Sequence, residues 1–267
     1  MTSKNKIGFI GFGRMGSILG GAFVESGCAH PREIVVFDKH SGQRREFRRY
    51  DLVGSAQEVV ERASVVFVCV RPLDVREVAR SVKIEKDTII VSIAAGVSPA
   101  FLRRWFGKNI IRVIPSYTQK ALAGVLLYCY RKDFSRQKVA RIVKLLQFIG
   151  EPIAVPERWL EIATDLSSCS PAFWAYLASA FTNEAVRLGL PRGTAQSITA
   201  QALLGSAKIL VGGEKFENVI DHVATPGGIT REGIEVLEEE FPHIVKEIFT
   251  VTGKKYSLLR KQIEKSS

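Results

Sequence analysis

The most constraining feature of this sequence is a short apolar run that leads directly into three closely spaced glycines. Residues 7–10 read Ile-Gly-Phe-Ile, and residues 11–16 read Gly-Phe-Gly-Arg-Met-Gly. Apolar residues then recur at helical spacing, at Ile18, Leu19, Ala22 and Phe23. The pattern predicts a β-strand, a tight turn and an α-helix, in that order.

Each glycine of this turn has its own physical reason. Gly11 permits the tight turn, Gly13 lets a pyrophosphate approach the backbone, and Gly16 lets the helix pack on the strand. The helix N terminus adds free amides and a positive dipole, which favour phosphate. The alternative is a structural glycine turn in an unrelated α/β domain. We predict a dinucleotide site whose first contacts are Gly11, Phe12, Gly13, Arg14, Met15 and Gly16.

A second apolar run ends in an acidic residue. Ile34–Phe37 reads as a buried strand, and Asp38 follows it, 22 residues beyond Gly16, where such folds place the carboxylate that contacts ribose. Asp38 would accept hydrogen bonds from ribose hydroxyls and repel a 2′-phosphate. The residues just beyond it could attract that phosphate: Lys39, His40, Ser41, Arg44 and Arg45. Asp38 and Lys39 are therefore both predicted cofactor contacts, and the sequence leaves the choice between NADH and NADPH open.

Three further β-branched runs continue the alternation of strand and helix, at Val65–Val70, Thr88–Ile93 and Ile110–Ile114. They are predominantly apolar, as parallel strands covered on both faces should be. Ala123–Tyr130 and Pro152–Val155 flank a helical pattern at Arg136–Ile149 and would extend the sheet at one edge. The fold predicted for the first half is a doubly wound, mostly parallel α/β sheet.

Ligands of such sheets bind beyond the carboxyl ends of the strands. We therefore predict further cofactor contacts just after three of the runs, at Val70, Arg71, Pro72, Ala94, Ala95, Gly96, Pro115 and Ser116. Ordinary turn chemistry is the alternative for any one of these segments taken alone.

The strand pattern disappears from Glu157 onward. Helical patterns cover Trp159–Leu188, Gly193–Val211, Glu214–Val223 and Thr230–Lys265. We predict two domains, residues 1–156 and an all-α domain of residues 157–267. Small and apolar residues crowd the first of these helices around Ala175–Phe181, and they would suit close packing in a monomer or in an intersubunit bundle. We favour a homodimer, or a higher assembly built from dimers.

Composition excludes several classes of protein. The 267 residues carry a net charge of +11, but the basic residues are scattered and lack interleaved aromatics, so no nucleic-acid partner is expected. A solvated basic surface or attraction of a phosphate-bearing cofactor explains the charge. The four cysteines and four histidines are widely separated, which predicts no metal site. No apolar run approaches the roughly 20 residues of a membrane span, and the first strand begins near Lys6, so we expect a cytoplasmic location.

Several ordered motifs resemble the pyrroline-5-carboxylate reductase family over almost the whole chain. They are Ile7–Gly16, residues 70–72 (Val-Arg-Pro), 91–96 (Val-Ser-Ile-Ala-Ala-Gly), 170–173 (Ser-Pro-Ala-Phe), 188–192 (Leu-Gly-Leu-Pro-Arg) and 223–230 (Val-Ala-Thr-Pro-Gly-Gly-Ile-Thr). The resemblance implies a Rossmann domain followed by a helical dimerisation domain. It also implies an enzyme of proline biosynthesis that reduces 1-pyrroline-5-carboxylate to L-proline with NAD(P)H.

The same resemblance assigns roles at the start of the last helix. Gly227, Gly228 and Ile229 would bind the substrate carboxylate through loop amides and the helix dipole. Thr230 matches the family's active-site threonine and would hydrogen-bond the imine nitrogen while hydride moves to the imine carbon. From the residues alone, Thr230 reads as a helix N-cap.

Two segments depart from the family. The family's Met-Pro-Asn-Thr-Pro is Ile-Pro-Ser-Tyr-Thr at residues 114–118, and its Ser-Gly-Ser-Gly-Pro-Ala is Ser-Ser-Cys-Ser-Pro-Ala at residues 167–172. These variants are more similar to the late-competence reductase-like branch found in spore-forming bacteria. They leave two alternatives open: reduction of a different cyclic imine or carbonyl acid, or a regulatory protein that binds dinucleotide.

Overall fold

The computed structural model describes residues 6–40 and 45–265, and their strands form one sheet. The strands are β1 Lys6–Ile10, β2 Ile34–Phe37, β3 Asp51–Leu52, β4 Ala63–Val68, β5 Ile89–Ser92, β6 Ile110–Ile114, β7 Gly124–Cys129 and β8 Gly150–Ala154. The order across the sheet is β3-β2-β1-β4-β5-β6-β7-β8. Among the strands of the described residues, only β6 and β7 pair antiparallel, so the predicted doubly wound, mostly parallel sheet is confirmed.

The helices of the described residues follow the predicted succession with shifted ends. They are α1 Arg14–Glu25, α2 Ala56–Arg62, α3 Val75–Ser81, α4 Pro99–Phe106, α5 Arg136–Leu146, α6 Leu160–Thr164, α7 Ser170–Arg187, α8 Arg192–Val211, α9 Phe216–Val223 and α10 Ile229–Lys265. The single helix predicted over Trp159–Leu188 is interrupted by a π-helical turn at Asp165–Cys169. The two-residue strand β3 is too short to give a sequence pattern.

The core lies on both faces of the sheet because its central strands are buried throughout. Along β1, Phe9 belongs to the apolar cluster of one face and Ile10 to that of the other, as strand alternation requires. Phe9 stacks on Phe67 of β4 with ring centroids 5.2 Å apart. Helix α1 covers this face with Leu19 and Phe23. Because β1 pairs in parallel with both β2 and β4, the carboxyl ends of these three strands lie at the same edge of the sheet.

The chain divides into two compact units. One comprises Met1–Cys169 together with Gly253–Ser267, and the other is Ser170–Thr252. The end of α10 belongs to the first unit because Leu259 and Ile263 pack into the cluster on one face of the sheet. These units differ from the division at residues 156 and 157, which stays a prediction about sequence domains.

The second unit buries very little apolar surface by itself. Among the buried apolar side chains of the described residues, only Ala195 and Ala224 belong to Ser170–Thr252. Large apolar side chains stand exposed on its helices, including Trp174, Tyr176 and Phe181. A unit of this size needs a larger core than two alanines. None of the helices in the described ranges is long and apolar enough to cross a membrane.

Candidate functional site

A cavity of about 380 Å³ opens beside the glycine turn, within the first unit. It lies where the strand order reverses between β1 and β4, which is the position at which ligands bind in doubly wound sheets. Six predicted cofactor residues line it: Gly11, Gly13, Asp38, Lys39, Val70 and Arg71. Helix α3 supplies the opposite wall through Glu77, Val78 and Ser81.

The three glycines of the turn have the geometry that their predicted roles require. Gly11 has φ +85°, and a Cβ there would lie 2.9 Å from Val70 Cγ1. A Cβ on Gly16 would lie 2.6 Å from the Gly11 carbonyl oxygen, so only glycine allows α1 to pack this closely. At Gly13 a Cβ would meet no atom of the other described parts of the chain within 4 Å. The space beside Gly13 is therefore left for something other than the protein.

The first turn of α1 suits an anion. Gly13 occupies the N-cap position, no side chain caps the helix, and the first turn contains no acidic residue. The amides of this turn are therefore free to bind phosphate, and the helix dipole favours negative charge there. Because the space beside Gly13 adjoins these amides, the residues fit the pyrophosphate of a dinucleotide.

Asp38, which follows β2, hydrogen-bonds to the backbone of the glycine turn. The Phe12 N–H donates to Asp38 Oδ2 over 2.6 Å, and the His40 N–H donates to Asp38 Oδ1 over 2.8 Å. Both carboxylate oxygens therefore accept backbone hydrogen bonds. Asp38 also lines the cavity, so its charge is held in a fixed place beside any bound ligand.

Two ion pairs involve residues that line the cavity. Lys39 Nζ lies 2.9 Å from Glu77 Oε1, and this hydrogen bond raises the pKa of Lys39 above its ordinary value. Arg71 Nε lies 2.9 Å from Asp74 Oδ2. Ser41 and Arg44, the other residues predicted to attract a 2′-phosphate, lie outside the described residues, and so does the side chain of Arg45.

Four other predicted cofactor residues, Phe12, Arg14, Met15 and Pro72, do not line the cavity. The Phe12 side chain is fully buried against Phe47 and Tyr50, so only its backbone faces the turn. Arg14 is exposed on the first turn of α1, and Met15 packs partly against the core. Pro72 begins a 3-10 turn at Pro72–Asp74 and does not line the cavity.

The segment after β5 is shaped by contacts inside the first unit. Ala94 is buried and Ala95 is exposed. Gly96 has φ +74°, and a Cβ there would lie 2.9 Å from Leu259 near the end of α10. Glycine is therefore required at this position to admit α10, and none of the three residues lines the cavity.

The segment after β6 is closed by its own hydrogen bonds. Ser116 is fully buried and caps the 3-10 turn Tyr117–Ala121 through the Thr118 N–H. The Ser168 hydroxyl donates to the Pro115 carbonyl over 2.9 Å. Tyr117, which replaces a threonine of the family, is 55% exposed. Both departures from the family thus meet at Pro115.

Cys169 belongs to a small, partly buried polar cluster. Its Sγ lies 3.7 Å from Tyr256 Oη, and that hydroxyl donates to Asp165 Oδ1 over 3.2 Å. Burial raises the pKa of Cys169, and burial followed by the contact with Cys169 raises the pKa of Tyr256. Both groups therefore stay protonated at neutral pH, which agrees with a structural thiol.

The loop before α10 is a tight turn in the second unit. The Gly228 N–H donates to the Thr225 carbonyl over 2.9 Å, and Gly227 has φ +72°. Proline at the second position and glycine with positive φ at the third are the signature of a type II turn. The predicted substrate residues Gly227, Gly228, Ile229 and Thr230 thus form this turn and the start of α10.

Thr230 does not occupy the N-cap position, since α10 already begins at Ile229. Its exposed hydroxyl makes no hydrogen bond within the described part of the chain. The backbone N–H groups of Ile229 and Thr230 likewise donate to no group among the described residues. The N-cap interpretation is therefore wrong, and this helix start presents a hydroxyl and two amides to the surroundings.

Two carboxylates that line the cavity, Asp74 and Glu77, were not predicted as site residues from the sequence. Asp74 and Glu77 follow the strand β4 at helical spacing, but they carry no motif of their own. A search for carboxylates within about two helical turns of Arg71, a predicted cofactor contact, would have found both.

Family models match both halves of the chain. Residues 157–259 match the family described as "Pyrroline-5-carboxylate reductase dimerisation". Residues 6–96 match the family described as "NADP oxidoreductase coenzyme F420-dependent". The N-terminal match spans the glycine turn, Asp38 and the wall formed by α3.

Curated relatives and solved structures agree with these matches. The chain is 33% identical to pyrroline-5-carboxylate reductase of Escherichia coli, which covers 89% of this chain and 91% of the relative. It is 32% identical to ComE operon protein 4 of Bacillus subtilis, over 94% of this chain and 95% of the relative. The Plasmodium falciparum pyrroline carboxylate reductase structure, which has NADP bound, shares the fold with a TM-score of 0.86 at 21% identity, over 97% of this chain and 100% of that chain. The expected resemblance is confirmed: this chain belongs to the pyrroline-5-carboxylate reductase family of NAD(P)H-dependent oxidoreductases.

Proposed function

We propose that this protein reduces a cyclic imine acid with NAD(P)H, and that its substrate is 1-pyrroline-5-carboxylate, which becomes L-proline. The observation that carries this proposal is the turn Thr225–Gly228 with its unengaged Thr230 hydroxyl, in a chain whose other unit has a cavity that fits a dinucleotide. Curated relatives named pyrroline-5-carboxylate reductase support the choice of substrate.

Each segment has a proposed role that follows from its chemistry. The Ile229 and Thr230 amides, at the positive end of the α10 dipole, hold the substrate carboxylate. The Thr230 hydroxyl fixes the imine nitrogen by a hydrogen bond. NAD(P)H supplies the hydride that the imine carbon receives. The chain therefore has to orient the reactants rather than provide a nucleophile, in keeping with its lack of an activated thiol at Cys169.

The protein acts as a homodimer in this proposal. The exposed apolar side chains of Ser170–Thr252 would be stabilised by burial. The same unit of a second copy would bury them in a self-complementary interface. The match of residues 157–259 to a dimerisation family supports this interface. A higher assembly of dimers remains part of the proposal. We also propose a cytoplasmic location, where NAD(P)H is available and the four cysteines stay reduced.

Purified protein, 1-pyrroline-5-carboxylate and NADH or NADPH test the proposal directly. We expect oxidation of the nicotinamide, followed by its absorbance, with one proline formed per hydride transferred. Larger cyclic imine acids serve as the comparison. Dinucleotide binding without turnover of any cyclic imine would contradict the enzymatic half of the proposal.

A second candidate is reduction of a different cyclic imine or carbonyl acid. The observation that favours it is the contact between Ser168 and the Pro115 carbonyl, which joins the two segments where the chain departs from its family. Faster turnover of a larger imine than of 1-pyrroline-5-carboxylate would select this candidate. A regulatory role without turnover is the outcome left if every imine fails.

A further inference from the structure

The charges around the dinucleotide cavity oppose the charge of the whole protein. The chain carries a net charge of +11. The described residues that line the cavity include three carboxylates, Asp38, Asp74 and Glu77, and two cations, Lys39 and Arg71. Counting these five side chains, the described lining has an excess of one negative charge. A 2′-phosphate adds about 1.5 to 2 negative charges to a dinucleotide, so this lining disfavours it.

Each of the two cations that line the cavity forms an ion pair with a carboxylate. Glu77 holds Lys39 across the cavity, from α3 to the segment after β2, with 2.9 Å between Oε1 and Nζ. Asp74 holds Arg71 at 2.9 Å. A 2′-phosphate could recruit either cation only by displacing its carboxylate, which would then stay nearby.

Asp38 cannot move aside to admit a phosphate. Its two oxygens accept the Phe12 and His40 amides at 2.6 and 2.8 Å, so moving the carboxylate would break both bonds. The remaining lone pairs can still accept hydrogen bonds from ribose hydroxyls. The fixed carboxylate thus suits a ribose diol and repels a phosphate at the same place.

We infer that Glu77 and Asp74 set the dinucleotide preference of this protein, because by pairing with Lys39 and Arg71 they make NADH bind more tightly than NADPH. The inference rests on the proposed function only for the presence of a dinucleotide in the cavity. It assigns the preference to residues of α3 and of the turn before it, in addition to Asp38.

Direct binding measures this preference without any imine substrate. NADH and NADPH are titrated separately into the full-length protein, and affinity is read by calorimetry. We expect NADH to bind roughly tenfold more tightly than NADPH, which corresponds to about 1.4 kcal/mol. Because the repulsion is electrostatic, the difference should shrink between about 0.1 M and 1 M salt, as the screening length falls from about 10 Å to about 3 Å.

Glu77→Gln tests the assigned residue. This side chain is 67% exposed, so the variant should fold, and it leaves Lys39 free for the phosphate. We expect NADPH to bind up to about fivefold more tightly, the upper end of the effect of one exposed charge pair, and NADH affinity to rise less. Asp74→Asn should act in the same direction through Arg71. In the Glu77→Gln background, Lys39→Gln should remove the gain.

Glu61→Gln is the matched control, because Glu61 is exposed on α2, does not line the cavity and changes the net charge equally. Its affinities for both dinucleotides should equal those of the parent. Equal or tighter binding of NADPH by the parent, or no response to Glu77→Gln, would overturn the inference and leave the proposed function standing. Failure of both dinucleotides to bind would overturn the two together.

Discussion

The backbone N–H of Phe12 and the carboxylate of Asp38 join the glycine turn to the end of β2, over 2.6 Å. Asp38 therefore positions the turn as well as facing the cavity. Asp38→Ser should loosen the turn and cost about 1.5–3 kcal/mol of unfolding free energy, as expected for a hydrogen bond to a charged group. It should also shift the ratio of NADH to NADPH affinity toward NADPH, because a negative charge is lost. Denaturant titration and calorimetry measure the two effects, and an unchanged ratio would leave Asp38 with no discriminating role.

Gly13 and Gly16 should respond differently to the same substitution. Gly13→Ala places a Cβ more than 4 Å from the other described parts of the chain, so stability should be kept while dinucleotide affinity is nearly lost. Gly16→Ala brings a Cβ to 2.6 Å from the Gly11 carbonyl and should destabilise the fold by about 1–3 kcal/mol. Thermal melting and calorimetry on both variants separate the roles. Unchanged affinity in Gly13→Ala would refute the proposed position of the pyrophosphate.

Thr230→Ala should reduce catalytic efficiency without reducing stability. The hydroxyl makes no hydrogen bond in the described chain, so the loss of about 0.5–2 kcal/mol expected for an N-cap should be absent. Transition-state binding should fall by about 0.5–1.5 kcal/mol for a neutral imine, or about 1.5–3 kcal/mol for a protonated one. Dinucleotide affinity should stay constant.

Thr230→Ser keeps the hydroxyl and is the control for this variant. Melting temperature and kcat/KM are measured on the same preparations. An alanine variant with full catalytic efficiency would exclude the catalytic role, whatever its melting temperature.

Cys169→Ser should remain active. Burial raises the pKa of this thiol, so little thiolate forms at neutral pH, and more forms as the pH rises toward the raised pKa. Alkylation of Cys169 by iodoacetamide should accordingly be slow at pH 7 and accelerate at higher pH than for an ordinary thiol. Mass spectrometry follows the labelling. Abolished turnover in a folded serine variant would point instead to covalent catalysis.

Phe181→Glu should weaken the dimer. This side chain is 66% exposed in the single chain, in a unit whose buried apolar residues are Ala195 and Ala224. Light scattering should show that the variant dissociates at a higher protein concentration than the parent does. Its melting temperature should also depend more strongly on protein concentration. Phe148→Glu, on an exposed side chain of the first unit, is the control and should leave the mass unchanged. A monomeric parent protein would contradict the proposed assembly.

Local sequence patterns were enough to predict the sheet and the glycine turn that adjoins the cavity. Predominantly apolar, β-branched runs such as Ile34–Phe37 and Ile110–Ile114 form strands with the predicted bounds. Their composition suits parallel strands that are buried on both faces. The glycine turn was equally readable, since Gly11 and Gly16 meet local steric demands that act over a few residues.

Which charged side chains meet around the cavity depends instead on tertiary packing. Glu77 and Lys39 are separated by 38 residues, and the ion pair between them depends on how α3 lies beside the end of β2. The need for glycine at position 96 likewise comes from Leu259, far along the chain. Local sequence encodes backbone conformation and burial, whereas the charge of a cavity is the sum of side chains brought together by packing.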